Sequence, residues 1–326
     1  MAMYFLNLKT FGRSGGSSAV SAAAYRAGER IRDERRGRTH DHSERRDVLH
    51  KEILVPSDLN RSDLAWASDR SFLWNSVEAA ETRKNARVAR EYLVVLPAEL
   101  NAEQRLWLAR AFAQELVDRY RFALDLSVHA PRDFPGSDPR NFHAHLLATT
   151  REITPAGLSK KTTLEMGDAK RRELGLPPAI NELLFVRERW AAVANEALRD
   201  AHVEARIDHR SLAAQGIDRE PYPHIPRVAY EMERRGYRSP VAERLRAEYE
   251  VRVQARLQRA AAFETAVSRE NGRGAEAAER LDEHRTLDEI RRQAREEWLR
   301  LRQQPNEQTA ESSMQHQRAA GDHLTR

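Results

Sequence analysis

The 326-residue chain contains no cysteine. Disulfides, thiolate nucleophiles and cysteine-ligated zinc are therefore excluded. Long apolar runs are missing too. No stretch approaches the ~20 residues a membrane-spanning helix needs, and the N-terminus lacks the apolar core of a signal peptide. The expected address is the bacterial cytoplasm, with no membrane insertion. Aromatic residues make up only 7% of the chain. There is no Gly-x-x-x-x-Gly-Lys phosphate loop and no internal repeat, so a nucleotide-driven motor is not expected.

Charge is what the chain has in quantity. Charged residues reach 32%, with 55 Lys and Arg against 50 Asp and Glu, a net +5. A basic balance suits a polyanionic partner. Arginine outnumbers lysine, which a GC-rich genome explains as readily as phosphate recognition.

The stretch Asn141-Phe142-His143-Ala144-His145-Leu146-Leu147-Ala148-Thr149-Thr150 reads as a buried strand. Side chains two apart on a strand share a face, so His143 and His145 stand side by side and can share a metal ion. Upstream, Phe122 to His129 alternates apolar and polar residues, which predicts a second strand ending in His129. Residues 130–140 hold three prolines, a glycine and two aspartates, so a hairpin is expected there. An antiparallel return brings His129 to the histidine pair, giving a facial three-histidine site. An H-x-H pair alone is weak evidence for a metal, because most histidines are ordinary core or surface residues.

Several further elements are legible. Residues 3–11 read as an opening strand. Ser17 and Ser18 can cap a short helix of small residues, Ala19 to Ala27, stopped near Gly28. Tyr25 stands among those small residues and is free to meet a bulky substrate, or to pack as a core tyrosine. Residues 26–51 predict an exposed charged loop or hairpin over the active face, with His40-x-His42 as a lesser metal candidate. Helix is expected over 61–90, then a strand at 91–97. A helix capped by Asn101 and one over 183–205 follow, separated by a long loop or short helix at 155–172. A last strand is expected at 205–212.

The order over the first 225 or so residues is then β-α-α-β-α-β-β-α-β, which predicts an α+β fold: a central antiparallel sheet with helices packed on it. From residue 228 the chain turns rich in Ala, Glu, Arg and Leu, with a break expected around Asn271-Gly272-Arg273-Gly274. The expected domains are 1–226, a helical extension at 227–304 and a disordered polar tail at 305–326.

Four blocks in order carry a resemblance. They are Ser21-Ala22-Ala23-Ala24-Tyr25-Arg26-Ala27-Gly28; Ala86 to Glu91 before a strand; Asn141-Phe142-His143-Ala144-His145; and Ile207-Asp208-His209-Arg210-Ser211 followed by Gln215 to Glu220. Over residues 1–226 the chain resembles the MobA/MobL family, plasmid mobilisation relaxases of the HUH endonuclease superfamily. The resemblance implies a sheet carrying a metal site and nicking of one strand at an origin of transfer through a covalent 5′-phosphotyrosine. Tyr25 then matches the nucleophile, His129, His143 and His145 the metal ligands, and Glu81 and Glu91 acidic residues supporting the site. The implied cofactor is a divalent ion, Mg²⁺ or Mn²⁺.

Single-stranded origin DNA is the implied partner, with Arg26, Arg30, Lys160, Lys161 and Arg210 as candidate DNA contacts. Plasmid accessory proteins and a type IV secretion coupling protein are implied partners as well, with the helical tail as a place for recruitment, dimerisation or secretion signals. Three rival readings stand beside this one: a rolling-circle replication initiator, a non-catalytic plasmid DNA-binding accessory protein, and a water-using metallo-hydrolase. In the initiators the tyrosine usually follows the histidine pair, whereas Tyr25 precedes it.

Overall fold

The computed structural model describes residues 2–132, 137–282 and 287–303. The chain divides into two compact units, Met1–Gln215 and Gly216–Arg326.

The first unit is built from β1 (Leu6–Gly12), α1 (Ala19–Ala27), β2 (Arg30–Asp33), β3 (Arg38–Asp41), β4 (Val48–Leu54), α2 (Ala65–Ser68), α3 (Arg70–Ala80), β5 (Arg87–Val95), α4 (Ala102–Tyr120), β6 (Phe122–His129), β7 (His143–Thr154), β8 (Gly157–Lys161), α5 (Asp168–Glu173) and α6 (Ala179–Asp200). The strands β1-β5-β7-β6-β4 form one antiparallel sheet in that order, β8 pairs with the far end of β7, and β2–β3 is a separate hairpin.

Strand alternation sorts the two faces of the sheet. On β7, Ala144, Leu146 and Ala148 pack with Leu108, Phe112 and Leu116 of α4 and with Val186, Trp190 and Ala194 of α6. Each of the large side chains sealed there contributes about 1.5–3 kcal/mol. The odd-numbered residues point to the opposite face. There Leu147 joins Val20, Ala23 and Ala24 of α1 and Trp74 of α3 in a second core. His143 and His145 therefore emerge on the α1 face, and register places His143 opposite His129 and His145 opposite Ser127.

Helix α1 forms for clear reasons. Ser18 caps it by accepting from the Ser21 amide at 3.2 Å, and the Glu78 carboxylate accepts from the Ala19 amide at 2.7 Å. Its alanines are almost fully buried, and their small side chains let the helix backbone lie close to the sheet. At its end Gly28 has φ +59°, and a Cβ there would lie 3.1 Å from Val48 Cγ2, so glycine is required.

The α+β architecture with a central antiparallel sheet is the one the pattern predicts. Several elements differ. The helix expected over 61–90 is broken: Asp69 caps a fresh helix by accepting from Phe72, α3 stops at Ala80, and β5 begins already at Arg87. Pairing of Arg90 with both Thr10 and Ala148 overrides the helical propensity of that segment. The charged region 26–51 holds the β2–β3 hairpin and then an edge strand, β4, whose His50, Lys51 and Glu52 concealed it. The strand expected at 205–212 is absent. Ile207 instead exchanges two 2.8 Å hydrogen bonds with the Asn195 side chain, which substitutes for a neighbouring strand. Residues 155–172 supply β8 and the start of α5.

The second unit contains α7 (Arg227–Arg234), α8 (Pro240–Asp282) and α9 (Leu287–Gln303). Helix α8 continues through Asn271-Gly272-Arg273-Gly274, where a break was expected; two glycines do not stop a helix flanked by strong helix formers. The tail expected to be disordered lies outside the described residues. No helix among the described residues is long and apolar enough to cross a membrane.

Candidate active site

The three histidines converge. Their ring centroids are 5.2 Å apart for His129–His143, 4.7 Å for His129–His145 and 5.2 Å for His143–His145. One ring nitrogen from each lies within 4.8 Å of the others, the one such cluster among the described residues.

The remaining ring nitrogens are engaged, which fixes the tautomers. His143 Nδ1 donates to the Asn141 carbonyl at 2.9 Å and His145 Nδ1 to Glu91 Oε1 at 2.6 Å. His129 Nε2 donates to the Arg26 carbonyl at 2.7 Å. This leaves Nε2 of His143, Nε2 of His145 and Nδ1 of His129 as the unprotonated nitrogens, the last of them facing Arg45 at 3.3 Å. Burial lowers the pKa of all three: to about 3 for His129, to about 4 for His143, and downward for His145 despite its Glu91 partner. The rings are thus neutral at physiological pH, the form a metal requires. Three neutral imidazoles held by acceptors behind them fit a divalent transition ion better than a cation demanding an all-oxygen shell.

Glu91, on β5 beside β7, occupies the same face. Burial would raise its carboxyl pKa, but hydrogen bonds from His145 and Arg26 outweigh this and hold it near 2. It is ionised, and it orients His145.

Tyr25 sits in the last turn of α1, half-buried. Its ring meets His42 edge-on at 5.2 Å, and the Arg45 guanidinium lies 4.3 Å from the ring centroid. Arg45 also donates to the Tyr25 carbonyl, and to His129 Nδ1 at 3.3 Å. A divalent ion held by the three histidines would use that lone pair in place of Arg45. The Tyr25 hydroxyl accepts from Arg132 Nη2. Asp47 receives both arginines, Arg45 Nε at 2.9 Å and Arg132 Nε at 3.4 Å. Against the pull of burial, Arg45 holds the Asp47 carboxyl well below the usual carboxylate range. Tyr25, His42, Arg45, Asp47 and Arg132 line an open cavity of about 550 Å³.

The other expected residues distribute differently. Glu81 is buried between Arg151, at 2.8 Å, and Lys161, at 2.7 Å, and none of its contacts is with Tyr25 or the histidines. The reason is its place beyond the end of α3. Its partner Arg151 is six residues along β7 from His145, about 20 Å at the usual rise per residue. Arg26 is likewise not a free DNA contact: it pairs with Glu91 and stacks on Phe11 at 4.9 Å. Lys161 is tied to Glu81. Arg210 pairs with Asp208 at 2.7 Å. Arg30 and Lys160 are exposed, and among the described residues their ion-pair partners are the loose Asp41 at 3.7 Å and Glu152 at 3.5 Å. His40 is buried 3.8 Å from Asp33, apart from the three-histidine cluster, so the His40-x-His42 metal candidate fails. His42 is instead a wall for Tyr25.

Arg45, Asp47 and Arg132 were missed. Arg45 and Asp47 lie in a charged stretch that reads as solvated loop, and nothing local marks them. Arg132 carries one signal, its position just past the strand that ends in His129.

Comparison with known proteins shows which family the chain belongs to. The model of the MobA/MobL family matches residues 17–235. Mobilization protein MobL of Acidithiobacillus ferridurans is 37% identical over 281 residues, covering 80% of this chain and 71% of that protein. Probable mobilization protein MobA of Bifidobacterium longum is 32% identical, covering 77% of this chain and 47% of that protein. The chain therefore spans under half the length of this second relative. A solved structure described as the molecular basis of vancomycin resistance transfer in Staphylococcus aureus is 29% identical, with a TM-score of 0.53, and covers 64% of this chain and all of its own. Matched over most of its length by the family model and by relatives of this identity, the chain belongs to the MobA/MobL family.

Proposed function

We propose that this chain is a conjugative DNA relaxase, which nicks one strand at a plasmid origin of transfer and keeps the cut end as a covalent phosphotyrosine. The observation carrying the reading is the shared guanidinium of Arg45, 4.3 Å from the Tyr25 ring and 3.3 Å from His129. The Tyr25 ring, which lines an open cavity, and the three-imidazole cluster are thus bridged by one side chain. Mobilization proteins among its relatives support the same reading.

In this scheme the Tyr25 Oη attacks phosphorus, the Oη–P bond forms and the P–O3′ bond breaks. The tyrosine proton passes to solvent and the leaving 3′ oxygen takes one up. The phosphoester is exchanged rather than hydrolysed, so reversal reseals the strand. His129, His143 and His145 would hold a divalent ion, which when bound supplies Lewis-acid stabilisation of charge on the phosphate oxygens. Three imidazole donors favour Mn²⁺ over Mg²⁺. Glu91 keeps the His145 lone pair aimed at that position. The partner is single-stranded origin DNA in the bacterial cytoplasm. Accessory proteins and a secretion coupling protein are the partners expected of the helical second unit.

The test is incubation with single-stranded oligonucleotides spanning candidate origins, with Mn²⁺ or Mg²⁺, followed by denaturing gels. A covalent adduct lost in Tyr25→Phe and in His143→Ala is the expected result. Cleavage without an adduct would mean a hydrolase. Binding of the cognate origin without cleavage would mean a non-catalytic DNA-binding protein.

A further inference from the structure

We propose that Arg132 is a catalytic residue of the transesterification, stabilising the negative charge that develops on Tyr25 Oη, and that Asp47 positions it. The inference rests on the relaxase reading and deepens it.

The histidine cluster can act only on the phosphate side of the reaction. Nothing in it touches the tyrosine hydroxyl, and the acidic candidate Glu81 lies elsewhere. A phenol attacking phosphorus needs help at its own oxygen, because the oxygen sheds a proton as the new bond forms. Among the described residues one group meets that oxygen, and it is a guanidinium. Arg132 Nη2 donates to Tyr25 Oη. The hydrogen bond takes an oxygen lone pair, so the hydroxyl proton is directed away from Arg132.

A half-exposed arginine wanders unless held. Asp47 holds this one at 3.4 Å through Nε. The same carboxylate takes Arg45 at 2.9 Å, and Arg45 packs against the Tyr25 ring and binds its carbonyl. Asp47 therefore fixes both the hydroxyl's donor and the ring's neighbour through one group. The two cations need the one anion, since otherwise they would repel each other across the tyrosine.

During attack, Oη–P forms, P–O3′ breaks, the phenol proton leaves to solvent and the 3′ oxygen is protonated. Arg132 remains a guanidinium throughout and exchanges no proton. Removing one well-placed donor from a developing oxyanion typically costs about 10²–10³-fold in rate.

The experiment is single-turnover adduct formation at saturating origin oligonucleotide with Mn²⁺, alongside DNA affinity from fluorescence anisotropy. Arg132→Gln should slow adduct formation about 10²-fold and change the Kd by less than about 3-fold. Added ethylguanidinium should restore part of the rate to Arg132→Ala but none to Tyr25→Phe. Asp47→Asn should slow the same step, and the double variant should be little slower than Arg132→Gln alone, since both act on one contact. A wild-type adduct with Arg132→Gln at full rate, or with loss confined to Kd, overturns this inference and leaves the relaxase reading standing. Additive effects of the two substitutions overturn the positioning role of Asp47. Absence of any adduct from wild type with its cognate origin overturns both readings.

Discussion

His145 and Glu91 face each other across neighbouring strands, with Nδ1 of the imidazole 2.6 Å from the carboxylate oxygen. The pair lies in a sheet, so its geometry is set by strand register rather than by side-chain choice: His145 stands opposite Leu93 on β5, and Glu91 is the next residue on the same face. The consequence is an imidazole with its proton committed and its Nε2 lone pair free.

Glu91→Gln should therefore weaken metal binding while leaving all three ligands in place. Loss of a carboxylate behind a ligating histidine typically costs about 10–100-fold in affinity. Titration calorimetry with Mn²⁺ checks this. Unchanged affinity would mean that the Glu91 charge belongs to Arg26 alone.

Acid should destabilise the protein in the absence of metal earlier than its carboxylates alone would dictate. The three histidines titrate near 6.5 when unfolded, but burial brings folded His129 to about 3 and His143 to about 4, and His145 is lowered as well. Between those values the unfolded chain binds more protons, so stability falls as pH drops from about 6.5 toward 4. Above 6.5 both states are neutral and the histidines contribute no slope. Glu91, near 2 when folded, adds its own loss only as pH falls below its ordinary range. Thermal melts in chelator from pH 7.5 to 4 should show the slope, and His143→Gln should make it shallower. A curve flat from 7 to 5 would refute the buried neutral triad.

The seat of the tyrosine helix gives a stability prediction. Glu78 is sealed beneath α1, where one carboxylate oxygen takes the Ala19 amide and the other takes Arg13 at 2.8 Å and Arg35 at 2.9 Å. Glu78→Ala leaves the helix N-terminus and two arginines without their partner. Breaking a buried ion pair on one side costs about 3 kcal/mol or more. Urea unfolding should register that loss; a cost under about 0.5 kcal/mol, the usual surface value, would mean that Ser18 alone seats the helix.

What could be read from the sequence was what repeats locally. Period-two alternation marked the strand ending in His129, an apolar run marked the strand of His143 and His145, and the H-x-H spacing put two ligands on one face, so the triad followed once a hairpin was assumed. The small residues of α1 and the capping Ser18 were legible for the same reason. The tyrosine's surroundings were not, because Arg45, Asp47 and Arg132 meet only through β4, an edge strand whose polar residues look like loop. The resemblance set Glu81 beside Glu91 as acidic residues supporting the site. Ten residues separate them in number, yet a helix end and a strand start lie between, which sends the two carboxylates to different ends of the sheet.

That separation carries the last prediction. If Glu81 were the base that activates Tyr25, Glu81→Gln would abolish adduct formation. Its carboxylate is instead shared between Arg151 and Lys161, so the amide should leave the adduct rate within about 3-fold of wild type while removing a charge-assisted contact worth about 1–3 kcal/mol. Rate and unfolding midpoint measured on the same preparation separate the two roles. A collapse in rate at unchanged stability would return Glu81 to the chemistry and would require a β7 path linking Arg151 to the histidines. Loss of stability at unchanged rate would mark it as the ion-pair hub that anchors the far end of that strand.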